Sequence, residues 1–228
     1  MIVAILQARM SSSRLPGKVM KPILGMPMIG RHIERLNRCD SLDRIVVATS
    51  KDPSDDGLAS YCEGLGVRVF RGSLDDVLGR FAGAAIANGA EHVVRLTADC
   101  PLADPLVIDA CVWRHIETSA DYTSNTLQRS YPDGLDVEVM TAAALKTMQA
   151  EATDPYEREH VTPFLYRNPE RFRIAQLVQS ARLDDRRWTV DTAEDFEFVS
   201  RVYYMLYPTN PRFEQADILA LGIERLAA

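Results

Sequence analysis

Short apolar runs alternating with helix-spaced segments constrain this chain more than any other feature. The runs at residues 2–6 (IVAIL), 44–49 (RIVVAT), 67–70 and 92–97 (HVVRLT) read as buried strands. Between them, residues 28–37 carry Ile29, Ile33 and Leu36 on one helical face. Residues 54–64 read as a helix capped by Ser54, and 74–88 as a helix ending near Gly89. A helix at 104–116 follows the run at 92–97. Repeated strand–helix units predict an α/β fold, with a mainly parallel sheet covered by helices on both faces. Ligands of such sheets bind beyond the carboxyl ends of the strands. The loop after residues 2–6 and Ala98-Asp99-Cys100-Pro101 both lie at such ends, so they are expected to face one pocket.

The pattern changes after Ala120. Residues 121–125 and 135–140 (LDVEVM) alternate in the strand manner around a Pro132-Asp133-Gly134 turn, predicting a small mixed or antiparallel extension. Helices are predicted at 141–150, 154–166 and 193–206, and strands at 173–179 and 187–190.

The loop at residues 7–18 carries Arg9, Arg14 and Lys18 among Ser11, Ser12 and Ser13, and closes on Pro16-Gly17. Arginine offers forked donors to phosphate oxygens and lysine a point charge, so the loop has the groups a nucleoside triphosphate needs. Its spacing fits neither the G-x-x-x-x-G-K-[ST] loop nor the G-x-G-x-x-G fingerprint. A basic loop considered alone is as readily a solvated one.

The formal net charge of −6 argues against a nucleic-acid surface, which requires a basic face. An acidic chain that binds a polyanion has to concentrate its cations locally, as this loop does. Its 228 residues suffice for one α/β domain with a full core. The four cysteines (Cys39, Cys62, Cys100, Cys111) are widely spaced without C-x-x-C, which disfavours zinc and a disulfide framework. The apolar start lacks a basic n-region and a cleavage site, and no run approaches the length of a membrane span. A cytoplasmic protein without membrane partners is expected.

The segment QARMSSSRLPGKVMKPILGMPMI resembles the opening of the cytidylyltransferases that make CMP-activated acidic sugars, including the 3-deoxy-manno-octulosonate and acylneuraminate enzymes. It is most similar to the branch typified by the spore coat polysaccharide biosynthesis protein F family. VRLTADCPLADP, DYTSN, YPDGLDVEVM, EREHVTPFLYRNP and RRWTVDTAEDF follow in the same order, so the resemblance spans residues 1–207. It implies a Rossmann-like nucleotidyltransferase sheet forming one domain over 1–228. Residues 1–120 would hold the nucleotide, and 121–180 would form the sugar side. It also implies a magnesium-dependent reaction of CTP with an acidic sugar, giving CMP-sugar and pyrophosphate for cell-surface polysaccharide, and a homodimer.

By that resemblance Gln7, Ala8, Arg9, Arg14 and Lys18 line the triphosphate site, with Ser12 and Ser13 as lesser donors, while Met10 packs. Arg14 and Lys18 would stabilise charge on the departing pyrophosphate. The acids of the D-x-P and V-D-T-x-E-D motifs, Asp99 and Asp191 here, would bind magnesium. Position alone assigns Asp191 instead to capping the helix at 193–206. The octulosonate enzymes carry Q-G-D-E-P where this chain has Thr97-Ala98-Asp99-Cys100-Pro101, so one neighbouring carboxylate is absent. Arg71, Ser73, Asp76 and Arg80 loosely match the family's base and ribose segment, although Arg80 equally suits an i,i+4 pair with Asp76.

On the sugar side the candidates are Asn125, Asp133, Glu138 and His160. Asp136 and Glu138 share one face, opposite Leu135, Val137 and Val139. Arg158 and Arg187 would bind a sugar carboxylate, or else hold the local acids Glu157 and Asp191. His32, His92 and His115 lie inside regular elements and read as structural. No side chain stands out as an obligatory general base. Two other functions fit a similar α/β architecture. One is a glycosyltransferase that consumes a nucleotide sugar, though the D-x-D pair usual in that class is absent at Asp99-Cys100-Pro101. The other is a non-catalytic nucleotide-binding homologue, against which the retained Asp99, Asp191, Arg14 and Lys18 argue.

Overall fold

The computed structural model describes residues 1–226. β1 (Ile2–Gln7) leads through a small hairpin, β2 (Pro22–Ile23) and β3 (Met26–Pro27), into α1 (Met28–Leu36). β4 (Arg44–Ser50), α2 (Asp56–Gly64), β5 (Arg68–Gly72), α3 (Val77–Ala87), β6 (His92–Thr97) and α4 (Pro105–Thr118) follow. The remainder comprises β7 (Tyr122–Ser124), β8 (Glu138–Thr141), α5 (Ala142–Glu151), α6 (Pro155–His160), α7 (Pro163–Tyr166), β9 (Ile174–Gln176), α8 (Ala193–Leu206) and α9 (Gln215–Ala220).

Seven strands form one sheet in the order β5-β4-β1-β6-β8-β7-β9. The first four are parallel. β8 is antiparallel to both β6 and β7, and β9 returns parallel to β7. The apolar runs are continuous because both faces of the sheet are covered. Ala4 and Leu6 of β1 pack with α1, α2, α4 and α8 on one side. Val3 and Ile5 pack with α3, α5 and α7 on the other.

The strand order turns back beside β1, with β4 and β5 laid down on one side and β6 on the other. A crevice opens at such a switch point, outside the carboxyl ends of the two strands. The register sets Gln7 of β1 against Thr97 of β6, so the loops that leave both strands start side by side.

Three local expectations need correction. Ser54 does not cap α2. Asp52 accepts the Ser54 amide at 2.9 Å to start a short 3-10 turn at Pro53–Asp55, and α2 begins only at Asp56. The helix expected over 154–166 is two helices, parted by Val161 at φ 71°. Pro163 has no amide to continue the ladder, and burial of the Val161 side chain offsets its unfavourable backbone. Residues 187–190 are not a strand and make only a single bridge, Asp133 to Arg187. Their amides bind elsewhere: Trp188 and Thr189 to the Asp133 carbonyl at 2.6 and 3.1 Å, and Val190 to the Asp99 carbonyl at 2.8 Å. Gly134 makes this packing possible. At φ 109° it lies 2.5 Å, measured from an added Cβ, from the Thr189 nitrogen, so no side chain fits.

Candidate functional site

The loop after β1 is shaped by its own backbone. The Met10 carbonyl accepts the Ser12 and Gly17 amides, both at 2.9 Å, and Gly17 in the left-handed region turns the chain into the short helical turn Lys18–Met20. Asp55, fully buried, reaches across from the loop after β4 to accept the Met10 amide at 2.7 Å, and its other oxygen takes the Ser50 amide at 3.1 Å. The folded loop forms one wall of a cleft of about 320 Å³, lined by Gln7, Ala8, Arg9, Ser12, Ser13, Arg14 and Lys18. Thr97, Ala98, Asp99, His160 and Asp191 form the other wall.

Lys18 ties the two walls together. Its buried Nζ donates to Asp99 Oδ2 at 3.1 Å, Asp191 Oδ1 at 3.1 Å and the Val190 carbonyl at 2.7 Å. Arg14, largely exposed, meets Asp191 Oδ1 at 2.9 Å. The second oxygen of Asp191 takes Arg187 at 2.6 Å. Burial pushes the Asp99 carboxyl upward, yet the Lys18 charge and hydrogen bonds from Thr97 and Lys18 outweigh it and hold the group below its usual value. Asp99 is therefore ionised at neutral pH. Neither acid caps a helix: Asp104 caps α4, and Thr192 caps α8 in a reciprocal box with Asp195. The capping role that position assigned to Asp191 is thus taken by the next residue.

A second cavity of about 240 Å³ adjoins the first and shares Thr97 and His160 with it. Arg95, Asp136 and Glu138 lie along its sheet side, Arg129 and Thr126 at its rim, and Tyr156, Thr162 and Tyr166 on the α6–α7 side. The break at Val161 leaves His160 at the end of α6, where its ring lies 4.2 Å from that of Tyr156. Glu138 accepts from both Arg95 and the Tyr122 hydroxyl. Arg129 grips Asp136 with both ends of its guanidinium, at 3.1 and 2.9 Å. Burial raises the Asp136 carboxyl above its usual range despite Arg129.

The family profile described as cytidylyltransferase matches residues 3–221. This chain belongs to the cytidylyltransferase family. Spore coat polysaccharide biosynthesis protein SpsF of Bacillus subtilis is 34% identical over 209 residues, which cover 89% of this chain and 86% of that protein. An uncharacterized protein of Methanocaldococcus jannaschii is 37% identical over 198 residues, covering 86% and 80%. Among solved structures, a cytidylyltransferase of Leptospira borgpetersenii superposes with a TM-score of 0.92 at 31% identity, covering 96% of this chain and 92% of that one. A CMP:2-keto-3-deoxy-manno-octonic acid synthetase complexed with CTP shares the fold, with a TM-score of 0.67 at 17% identity over 90% and 98% of the two chains.

In this cytidylyltransferase the nine residues Gln7, Ala8, Arg9, Ser12, Ser13, Arg14, Lys18, Asp99 and Asp191 all line the first cleft. Glu138 and His160 line the second. Six other candidates are engaged elsewhere. Arg71 is occupied by the Ser50 and Asp52 carbonyls at 2.8 and 3.0 Å and by Asp56. The Ser73 hydroxyl accepts the Asp76 amide at 3.2 Å. Arg80 is buried beneath the same loop and donates to the Ser73 carbonyl; its expected partner Asp76 instead caps α3. Arg158 binds Asp76 through two nitrogens, at 2.9 and 2.8 Å, rather than Glu157, and faces neither cavity. Asn125 is buried with its amide bridging the Leu135 carbonyl and the Val137 amide, both within 2.8 Å, so it braces the extension instead of lining the cavity. Asp133 also lines neither cavity; it pairs with Arg187 at 2.8 Å.

Sequence reading missed Arg95, Arg129, Tyr156 and Tyr166. Arg95 carried a signal, being the one charge inside the apolar run HVVRLT. Arg129 and the tyrosines carried none, since their positions depend on how loops far apart in sequence converge.

Proposed function

We propose that this cytidylyltransferase joins CTP to a sugar, releasing pyrophosphate and CMP-sugar for cell-surface polysaccharide. The observation that carries this reading is Lys18, on the basic wall of the cleft, bridging Asp99 and Asp191 on the opposite wall, immediately beside a second cavity. Arg9, Arg14 and Lys18 would hold the triphosphate, with Ser12 and Ser13 as further donors. The sugar hydroxyl would approach from the second cavity past Thr97 and His160 and attack the α-phosphorus. The new P–O bond forms as the bond to the β-phosphate bridging oxygen breaks; the electron pair leaves with pyrophosphate and the hydroxyl proton goes to solvent, since no side chain stands out as an obligatory general base. Arg14 and Lys18 would stabilise that charge, a contribution of several kcal/mol in a preorganised site.

Among the described residues, no group of three or more His, Cys, Asp or Glu side chains is placed to hold a metal. Two ionisable carboxylates facing a polyanion cleft instead suit magnesium, which takes one or two carboxylates and completes its shell with water and substrate phosphate oxygens. Asp99 and Asp191 would hold that ion, which would supply charge neutralisation on the triphosphate. For the sugar, Arg95 and Arg129 are the cations that would meet an acidic substrate. The reading extends to a cytoplasmic homodimer, in keeping with the resemblance. No described helix is long and apolar enough to cross a membrane.

Incubation with each nucleoside triphosphate and a panel of neutral and acidic sugars, following pyrophosphate and the nucleotide-sugar mass, tests the proposal. Magnesium-dependent pyrophosphate release with CTP and a sugar is expected. Absence of release across the panel, with CTP bound tightly, would favour a non-catalytic binder.

A further inference from the structure

Asp191 presents its two oxygens to different surroundings. Oδ1 faces the cleft, toward Lys18 and Arg14, while Oδ2 is held from behind by Arg187. The Arg187 guanidinium reaches three carboxylates, with Nη2 shared between Asp191 and, at 3.4 Å, Asp195. Nη2 lies 2.6 Å from Asp191, Nη1 2.8 Å from Asp133 and Nε 3.3 Å from Asp195. Asp195 in turn accepts the backbone amides of Asp191 and Thr192, both at 3.0 Å, and takes Arg225 at 3.1 Å. The Asp133 carbonyl receives the Trp188 and Thr189 amides. Backbone and side chain of Asp191 are therefore fixed by one cluster whose hub is Arg187.

We propose that Arg187 is a positioning residue, orienting Asp191 so that Oδ1 is presented to the cation of the first cleft; the inference rests on the magnesium reading above. A planar guanidinium is suited to this because it directs three donors at fixed angles, which an ammonium group cannot reproduce. Charge alone works the other way. A cation this close to the carboxylate repels a metal ion, so an arginine acting only through charge would weaken metal binding. The two accounts predict opposite signs when Arg187 is removed.

The test is calorimetric titration of CTP into Arg187→Lys and Arg187→Met variants, once in EDTA and once in saturating Mg2+. The ratio of the two Kd values measures how strongly the metal and nucleotide support each other at the site, without any turnover. Loss of such an outer partner typically weakens metal affinity about 10- to 100-fold. The ratio is expected to fall about tenfold or more in both variants, with the Kd in EDTA altered no more than about threefold. Near-UV circular dichroism checks the fold, and Arg187→Lys carries the test if Arg187→Met does not fold. An unchanged or larger ratio in the folded variants would overturn the positioning role and leave the magnesium reading standing. A wild-type ratio of one would overturn both.

Discussion

Replacing Lys18 by Met leaves Asp99 without a cationic partner and orphans the Val190 carbonyl, whereas Asp191 keeps Arg14 and Arg187. Breaking a fully buried ion pair costs about 3–5 kcal/mol. Asp99 retains 30% side-chain exposure, so water screens part of the exposed charge and the expected loss is nearer 2 kcal/mol. For a chain of this size each kcal/mol lowers Tm by roughly 2–4 °C, predicting a fall of roughly 4–8 °C at pH 7. The pH dependence follows from the sign of the Asp99 shift. Its folded carboxyl lies below the usual value, so this contribution is complete above the unfolded value of about 3.9 and disappears as pH falls through the folded one. In the variant, burial without Lys18 raises the same carboxyl. The gap between wild type and Lys18→Met should therefore be widest near neutrality, begin to narrow above the ordinary carboxylate value as the raised carboxyl of the variant takes up its proton, and stop narrowing once pH has fallen through the lowered wild-type value. Urea melts of both proteins from pH 7 to pH 3 measure this gap. An equal gap at every pH, or none at pH 7, would show that Lys18 does not act through Asp99.

Asp191→Asn should abolish pyrophosphate release with little change in Tm, whereas Thr192→Ala should lower stability by about 1 kcal/mol through loss of the α8 cap and spare catalysis; melts and rates on the same two variants separate the roles. Glu138→Gln removes the charge that holds Arg95 and Tyr122 in place at the second cavity and should raise the sugar KM while leaving that for CTP near wild type, as steady-state kinetics would reveal. Arg158→Met should leave both KM values unchanged and cost at most about 1 kcal/mol, because its pair with Asp76 is partly exposed and lines neither cavity. Gly134→Ala should destabilise by about 3 kcal/mol, since the new Cβ would overlap the backbone at Thr189; a Tm within 2 °C of wild type by calorimetry would contradict that packing.

Much of this protein follows from local chemistry. Continuous apolar runs make strands that demand cover on both faces, and 193–206 and 92–97 have the bounds their patterns imply because nothing competes with them. The basic loop and Asp99 were legible as neighbours because parallel strands deliver their carboxyl ends to one edge. Other assignments depended on partners that no local pattern names. Arg158 and Arg71 carry the same side chain as Arg14, yet packing gave them Asp76 and two loop carbonyls, and left Arg14 at the cleft. Asp191 and Thr192 are adjacent and both suited to capping; the capping box with Asp195 selected Thr192, which turned Asp191 toward Lys18. The second cavity forms where the helix broken at Val161 sets His160 and Tyr166 beside Arg95 and Glu138. Periodicity and motif order thus determine the sheet, its covering helices and the family. Tertiary structure alone decides which charges remain available to a ligand, because a charged side chain is committed by whichever partner the folded chain brings within a few ångströms.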